Sequence, residues 1–375
     1  MEEQLNDGLN EPQYGQAGEQ SESEQGNFEA QNAASDHNHK DAHHAPTEDP
    51  NATLWAAPRH NLNHISDAAV RIKREIHKVI VGQDETIDLL LAAIFANGHV
   101  LMEGVPGIAK TLTAKLLAKC IKSDFSRIQF TPDLMPTDIV GTSVFNMKTS
   151  EFNFKAGPIF SNIILIDEIN RAPAKTQSAM FEVMEERQVT IDGETRFMEY
   201  PFFVIATQNP IDQEGTYKLP EAQLDRFLFR IKLRYPSLED EKLILRRFRD
   251  DFSQKSSNDV MAVITPDELQ KCTAQIEKVY IKDELIDYIA KIVNDTRNNG
   301  DLYLGASPRA SLAILRTSKA FAAMNGRDFV TPDDIRTVCY PVLNHRIILA
   351  PEREMEGIEV EDVIKDILNK IEVPR

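Results

Sequence analysis

"LMEGVPGIAKT", from Leu101 to Thr111, is the stretch whose reading decides the fold. It fits the phosphate-loop pattern G-x-x-x-x-G-K-[ST] at Gly104, Lys110 and Thr111, with Ala109 where the second glycine belongs. The pattern has meaning only between a strand and a helix. Upstream, "HVLME" is a short apolar run of the kind a buried parallel strand shows. Downstream, "KTLTAKLLAKCIK" places Leu112, Leu116, Leu117 and Ile121 on one helical face. A bound triphosphate needs backbone N–H donors, a helix N-terminus, a cation and Mg²⁺. Gly104 and Gly107 supply permissive backbone, Lys110 reaches for the β- and γ-phosphates, and the Thr111 hydroxyl is a Mg²⁺ ligand. Ala109 adds only a Cβ, which is tolerable at negative φ. A negative φ is therefore expected there, and the loop reads as variation rather than decay.

The chemistry continues in "IILIDEINR". Ile163 to Ile166 should form a central strand, with Asp167 at its end to hold Mg²⁺ and Glu168 to orient and deprotonate an attacking water. Taken alone, two carboxylates at a strand end could be merely solvated; the upstream Lys-Thr loop at a fitting separation favours the catalytic reading. "VIATQNP" ends another strand in Asn209, either a γ-phosphate or water contact or a turn residue before Pro210. "LPEAQLDRF" offers Arg226, which beside Asp225 could also be a salt-bridged surface arginine. "GASPRA" offers Arg309 in a first helical turn, where it opposes the helix dipole and so suggests a functional reason.

Around these motifs strands and helices alternate. "SRIQF", "PFFVIATQN" and "FLFRIKLRY" read as strands, "DAAVRIKREIHKVI" and "AKTQSAMFEVMEE" as helices, and "QVTIDGETRFMEY" as a hairpin turning at Asp192-Gly193. The expected organisation is a disordered acidic, His-rich tail over 1–58, an α/β core over 59–236 and a helical region over 237–375. The tail histidines His37, His39, His43 and His44 read as part of a solvated polar tract more readily than as a metal site. Net charge is -17, of which about -11 lies in the first 50 residues. The acidic balance argues against nonspecific nucleic-acid binding. No apolar run is long enough for a membrane span, and the acidic start is no secretory signal. Cys120, Cys272 and Cys339 are odd in number and far apart, as in a reducing cytoplasm.

Together, "EGVPGIAKT", "FTPDLMPTDIVGT", "GPIFSNIILIDEINRAPAKTQSAMFEVMEERQVT", "VIATQNPIDQEGTYKLPEAQLDRF" and "GASPRA" resemble the MoxR group of AAA+ ATPases, from about Asp67 to the end of the chain. The resemblance implies an α/β fold: a three-layer αβα P-loop core with a parallel sheet, then a smaller all-helical lid. It implies that Gly104, Val105, Pro106, Gly107, Ile108, Ala109, Lys110, Thr111 and Leu112 form the nucleotide loop, where alanine at 109 is ordinary for the family. Val81, Gly82 and Gln83 resemble the segment beside adenine. Thr111 and Asp167 would hold Mg²⁺, Glu168 would be the catalytic glutamate and Asn209 sensor 1. Arg226 resembles the arginine finger acting on a neighbour's ATP, and Arg309 resembles sensor 2, reporting the γ-phosphate to the lid. Gln129 stands where relatives place a residue restraining the catalytic glutamate. The family implies an ATP- and Mg²⁺-dependent ring, most often a hexamer. It also implies remodelling of partners such as von Willebrand factor A domain proteins, in maturation, metal insertion or stress responses. A metal-chelatase motor subunit, a nucleotide-dependent switch with little turnover, and DNA processing are the weaker readings. The Asp192-Gly193 hairpin either faces a pore or partner or simply covers the core.

Overall fold

The computed structural model describes residues 62–209, 216–249 and 259–374. The tail over 1–58, its four histidines included, lies outside the described residues. Two helices come first, α1 (Asn63–His77) and α2 (Asp84–Phe95). Ile65, Ala69, Ile72 and Ile76 form the buried stripe of α1, at the spacing that gives a helix one apolar face. Then follow β1 (Val100–Glu103), α3 (Lys110–Cys120), β2 (Phe125–Gln129) and α4 (Pro136–Val140). A hairpin, β3 (Gly141–Asn146) and β4 (Glu151–Ala156), leads to β5 (Ile163–Asp167) and α5 (Ala174–Glu186). A second hairpin, β6 (Gln188–Ile191) and β7 (Glu194–Phe197), precedes β8 (Phe203–Gln208), α6 (Glu221–Leu224) and β9 (Phe229–Lys232).

Five of these strands form one parallel sheet in the order β2-β5-β8-β1-β9. Side chains alternate across it, as strand geometry requires. Val100 and Met102, Ile163 and Leu165, and Phe203 and Ile205 join one core with α1, α2 and α3. Leu101, Ile164, Ile166, Val204 and Ala206 join a second core with Met180, Phe181, Val183 and Met184 of α5. Both faces are therefore covered, which gives three layers. Each fully buried Leu, Ile or Phe contributes about 1.5–3 kcal/mol. At the second hairpin, Asp192 (φ 52) and Gly193 (φ 82) both lie at positive φ, as the predicted tight turn demands.

After β9 come α7 (Leu238–Phe248), α8 (Pro266–Ile276), α9 (Asp283–Arg297), β10 (Leu302–Leu304), α10 (Pro308–Met324), α11 (Pro332–Leu343), β11 (Ile348–Leu349), α12 (Pro351–Met355) and α13 (Val360–Lys370). This region is helical except for the antiparallel β10–β11 ribbon, which departs from the expected all-helical lid. Thr265 with Glu268, and Thr331 with Asp334, cap α8 and α11 reciprocally. The helices share the first core with the sheet. The segment after α11 is tied to β9 by polar contacts. The Asn344 amide donates to the Arg230 carbonyl at 3.1 Å. The buried Arg346 donates to the carboxylate of Asp225 at 2.7 Å and to the carbonyls of Phe227 and Leu228. Among the described residues no helix is long and apolar enough to cross a membrane.

Two histidines are locked neutral inside. His99 accepts the Val204 N–H on Nδ1 and donates from Nε2 to the Met184 carbonyl, both at 3.1 Å. Burial pushes its pKa from 6.5 down to about 3. His345 stands 3.0 Å from the Phe227 carbonyl, and burial, then the neighbouring Arg346, hold it well below the usual range. Unfolding below pH 6.5 releases these rings to bind protons that the fold excludes. The His99 contribution is thus fully present above that pH and lost as pH falls toward about 3, and the His345 contribution is lost in the same direction. Unfolding free energy should decline between pH 6.5 and 5 by up to ~1.4 kcal/mol per pH unit for each ring. Urea titrations across that window check it, and a flat profile would contradict neutral burial.

Candidate nucleotide site

The sheet carries the loop where β1 ends. β1 lies between β8 and β9, the point from which the chain leaves in two directions, and such a switch point opens a crevice at the strand ends. Gly104 is needed for close approach, since a Cβ there would meet Ile108 Cδ1 at 2.6 Å and Leu233 Cβ at 2.9 Å. Gly107 is needed for its φ of +89. Ala109 corrects the expectation of a negative φ: it lies in the left-handed region (φ 62, ψ 20) as the N-cap of α3. The turn from loop into helix demands that conformation whichever residue stands there. An alanine bears it at a cost of about 1–2 kcal/mol, partly offset by packing of its methyl against the core.

No side chain caps α3, so its first N–H groups are available to an anion. Lys110 Nζ donates to the Gly104 carbonyl at 2.7 Å. Burial lowers the Lys110 pKa, while Asp167 and Glu168 pull it back up, so the three charged groups share one field. Thr111 and Leu112 are half-buried in the first turn, Val105 is half-buried, and Pro106 and Gly107 are exposed. The Val81–Gln83 segment meets the loop, because the Gln83 amide donates to the Ile108 carbonyl at 3.1 Å. Gly82 (φ +66) backs onto Asp240 in the first turn of α7.

The acids sit one strand away from β8, on β5. Thr207, nearly fully buried on β8, organises both: its hydroxyl donates to Asp167 at 3.1 Å and accepts the Glu168 N–H at 3.0 Å. Asp167 also accepts from Arg127 Nε at 2.6 Å. Glu168 has left-handed backbone (φ 58), a strained conformation of the kind found at working sites. Its carboxylate accepts from the Gln129 amide at 2.9 Å and from Arg171 at 3.0 Å. Gln129 therefore touches the glutamate it was expected to restrain. Asn209 follows β8 at the same edge of the sheet, half-buried. In donor chemistry Thr111 and Asp167 fit the ion, since a hydroxyl and a carboxylate are the hard oxygen ligands that Mg²⁺ with phosphate takes.

Arg226 and Arg309 are not brought to this edge. Arg226 precedes β9 and Arg309 opens α10, and both bind Glu185 in the last turn of α5, Arg226 at 2.6 Å and Arg309 at 2.5 Å. They line a cleft of about 380 Å³ that also includes Asn97, Gly98 and His99, the residues leading into β1. From Gly98 to Gly104 an extended chain covers roughly 20 Å, beyond the reach of either arginine. Arg309 thus stands apart from the loop of its own chain. Sequence reading did not single out Thr207, Arg127 or Glu185. Thr207 lay within "VIATQNP" and carried a visible signal: a hydroxyl at the end of an otherwise apolar strand.

The fold and sequence have counterparts among known proteins. Residues 99–229 match the family described as "ATPase family associated with various cellular activities (AAA)", and residues 294–367 match the AAA lid domain. The uncharacterised protein YeaC of Bacillus subtilis is 46% identical over 301 residues, covering 80% of this chain and 92% of its own. Chaperone MoxR1 of Mycobacterium tuberculosis is 41% identical over 348 residues, 90% of this chain and 89% of its own. A crystal structure of a Cytophaga hutchinsonii protein assigned as an ATPase superposes with a TM-score of 0.78 at 43% identity, covering 84% of this chain and 97% of that one.

The loop geometry makes one substitution informative. Ala109→Gly should remove left-handed strain and lose a methyl contact and some unfolded-chain stiffness, for a net gain of about 0.5–1 kcal/mol. Thermal unfolding of the two proteins measures it, and a clear loss would show that packing of the Ala109 methyl outweighs its strain.

Proposed function

We propose, on the premise that this chain belongs to the MoxR group of AAA+ ATPases, that it hydrolyses ATP in a cytoplasmic ring and uses the cycle to remodel a partner protein. The observation that carries this reading is the separation of charge. The phosphate loop, Lys110 and the two acids occupy one edge of the sheet, and Arg226 with Arg309 occupy the other. A site with Arg226 and Arg309 a strand length away is completed by a second copy, whose arginines reach across the subunit boundary. A closed ring, most often of six subunits in this family, satisfies every such head-to-tail contact.

Within the pocket, Lys110 exchanges the Gly104 carbonyl for the β- and γ-phosphates, and the N–H groups opening α3 hold the same oxygens. Thr111 and Asp167 would hold Mg²⁺, which when bound neutralises phosphate charge. Glu168 orients the attacking water and takes its proton, once its carboxylate turns from Gln129 and Arg171. Thr207 fixes the Glu168 backbone meanwhile. Asn209 supplies a second polar contact at the same edge. Arg226 and Arg309 of the adjoining copy stabilise charge developing on the γ-phosphate, a contribution of about 10³–10⁵ in rate for such a finger. Hydrolysis is thereby conditional on assembly. The relative named a chaperone in Mycobacterium tuberculosis supports a protein client for the cycle, and a von Willebrand factor A domain protein is the client class we favour.

Glu168→Gln should retain ATP binding and lose turnover by about 10²–10⁴, read by nucleotide titration beside phosphate release. Comparable turnover would remove Glu168 from its role. Arg226→Ala and Lys110→Ala should each be inactive alone, yet regain activity when mixed, because a mixed ring pairs an intact pocket with an intact finger. No recovery in mixtures that demonstrably co-assemble would argue against action between subunits.

A further inference from the structure

The cleft that holds Arg226 and Arg309 contains more positive charge than an arginine finger needs. Its lining includes five guanidinium groups, from Arg187, Arg226, Arg309, Arg316 and Arg346, and two carboxylates, from Glu185 and Asp225. In a chain of net charge -17, that is a local reversal of sign. The two carboxylates are not alike. Asp225 is fully engaged by Arg346, whose side chain is 3% exposed, and by the Ser307 hydroxyl at 2.9 Å. It fixes the framework from which Arg226 and Arg309 project, each one or two residues away in sequence from a member of that network. Glu185 is different. It stands in the last turn of α5, where the helix dipole disfavours an acid. One of its oxygens takes Arg226 and the other takes Arg309, so one carboxylate bridges the core and the helical region. The hydrogen bond from Arg226, and then the charges of both arginines, hold Glu185 below the usual carboxylate range and keep it ionised.

These pairs are open to exchange. Side-chain exposure is 34% for Glu185, 30% for Arg226 and 51% for Arg309. Exposed ion pairs contribute little and reopen readily. A two-oxygen anion that draws a pair of guanidiniums together presents the same face to them as two oxygens of a terminal phosphate. We propose that Glu185 is an internal competitor for the terminal phosphate of a neighbouring subunit's nucleotide: it holds Arg226 and Arg309 in the separated chain and yields them on assembly. This rests on the reading of the protein as a ring whose arginines act between subunits. In that ring Glu185 is a positioning residue, and it sets the subunit concentration at which hydrolysis switches on. No bond is made or broken in the exchange.

The full chain with Mg²⁺ and ATP tests this. Activity per subunit is measured against protein concentration, with sedimentation velocity on the same samples. Glu185→Gln keeps the size of the side chain and removes the competing charge. It should lower the half-activating concentration about three- to tenfold, the range one or two exposed ion pairs can set. Glu186→Gln makes the same charge change one residue along, on an exposed side chain, and should leave that concentration in place. If Glu185 were only a scaffold for the arginines, Glu185→Gln would depress activity at every concentration and raise the threshold, which overturns the proposal. An unmoved threshold in a protein whose wild type assembles with ATP overturns the competitor alone. A wild type that neither assembles nor gains activity with concentration overturns the competitor and the ring reading together.

Discussion

All five central strands point the same way, and that single polarity governs where chemistry can be placed. Parallel strands gather their C-terminal ends at one edge, where turns into helices expose N–H groups and where Asp167, Glu168 and the loop after β1 arrive together. The opposite edge collects the strand beginnings and the last turn of the returning helix α5. It is there that Glu185, Arg226 and Arg309 meet. An antiparallel sheet would have mixed the two sets. The separation of the loop, Asp167 and Glu168 from Glu185, Arg226 and Arg309 follows from that shared strand direction.

At the edge that carries the loop, two residues next to the strand ends are strained, and each is held differently. Ala109 and Glu168 both adopt left-handed backbone, each at a junction from strand to helix or turn. Neither conformation would persist in an isolated peptide. Around Ala109 the restraint is hydrophobic, with its methyl and Leu112 against the first core. Around Glu168 the restraint is polar: Thr207 accepts its N–H while donating to Asp167. A hydroxyl suits that place because it donates and accepts at once, whereas an apolar strand residue would leave the Glu168 N–H unpaired.

What could be read from the sequence divides along physical lines. The central strands were legible because strands buried on both faces must be apolar throughout, as in "IILID" and "FVIAT". The loop was legible because its glycines and Lys110 have local roles. The hairpin from Gly141 to Ala156 was not, since Val144, Phe145 and Phe152 are exposed and no buried face imposes a pattern. Arg127 and Thr207 were illegible as partners of Asp167 because their contacts span 40 residues of chain. The φ of Ala109 ran against local preference and was set by the turn. Arg309 had an evident sequence signal, but its position depends on how the helices dock through Arg346 and Asn344.

That docking also links the two edges through bonds. Asp225 accepts from Arg346 after α11 and from Ser307 before α10, so the residue preceding Arg226 is bonded to both ends of the segment that carries Arg309. Arg230, on β9, joins Glu103 at the end of β1 to the Asn344 carbonyl. Glu103 is the residue before the phosphate loop, and its carbonyl accepts the Leu233 N–H at 2.7 Å. A continuous set of bonds between rigid elements therefore runs from the residue before the loop, along β9, to the framework of the arginines. Asp225 and Arg346 are thus joined, through β9, to Glu103, the residue that precedes the loop.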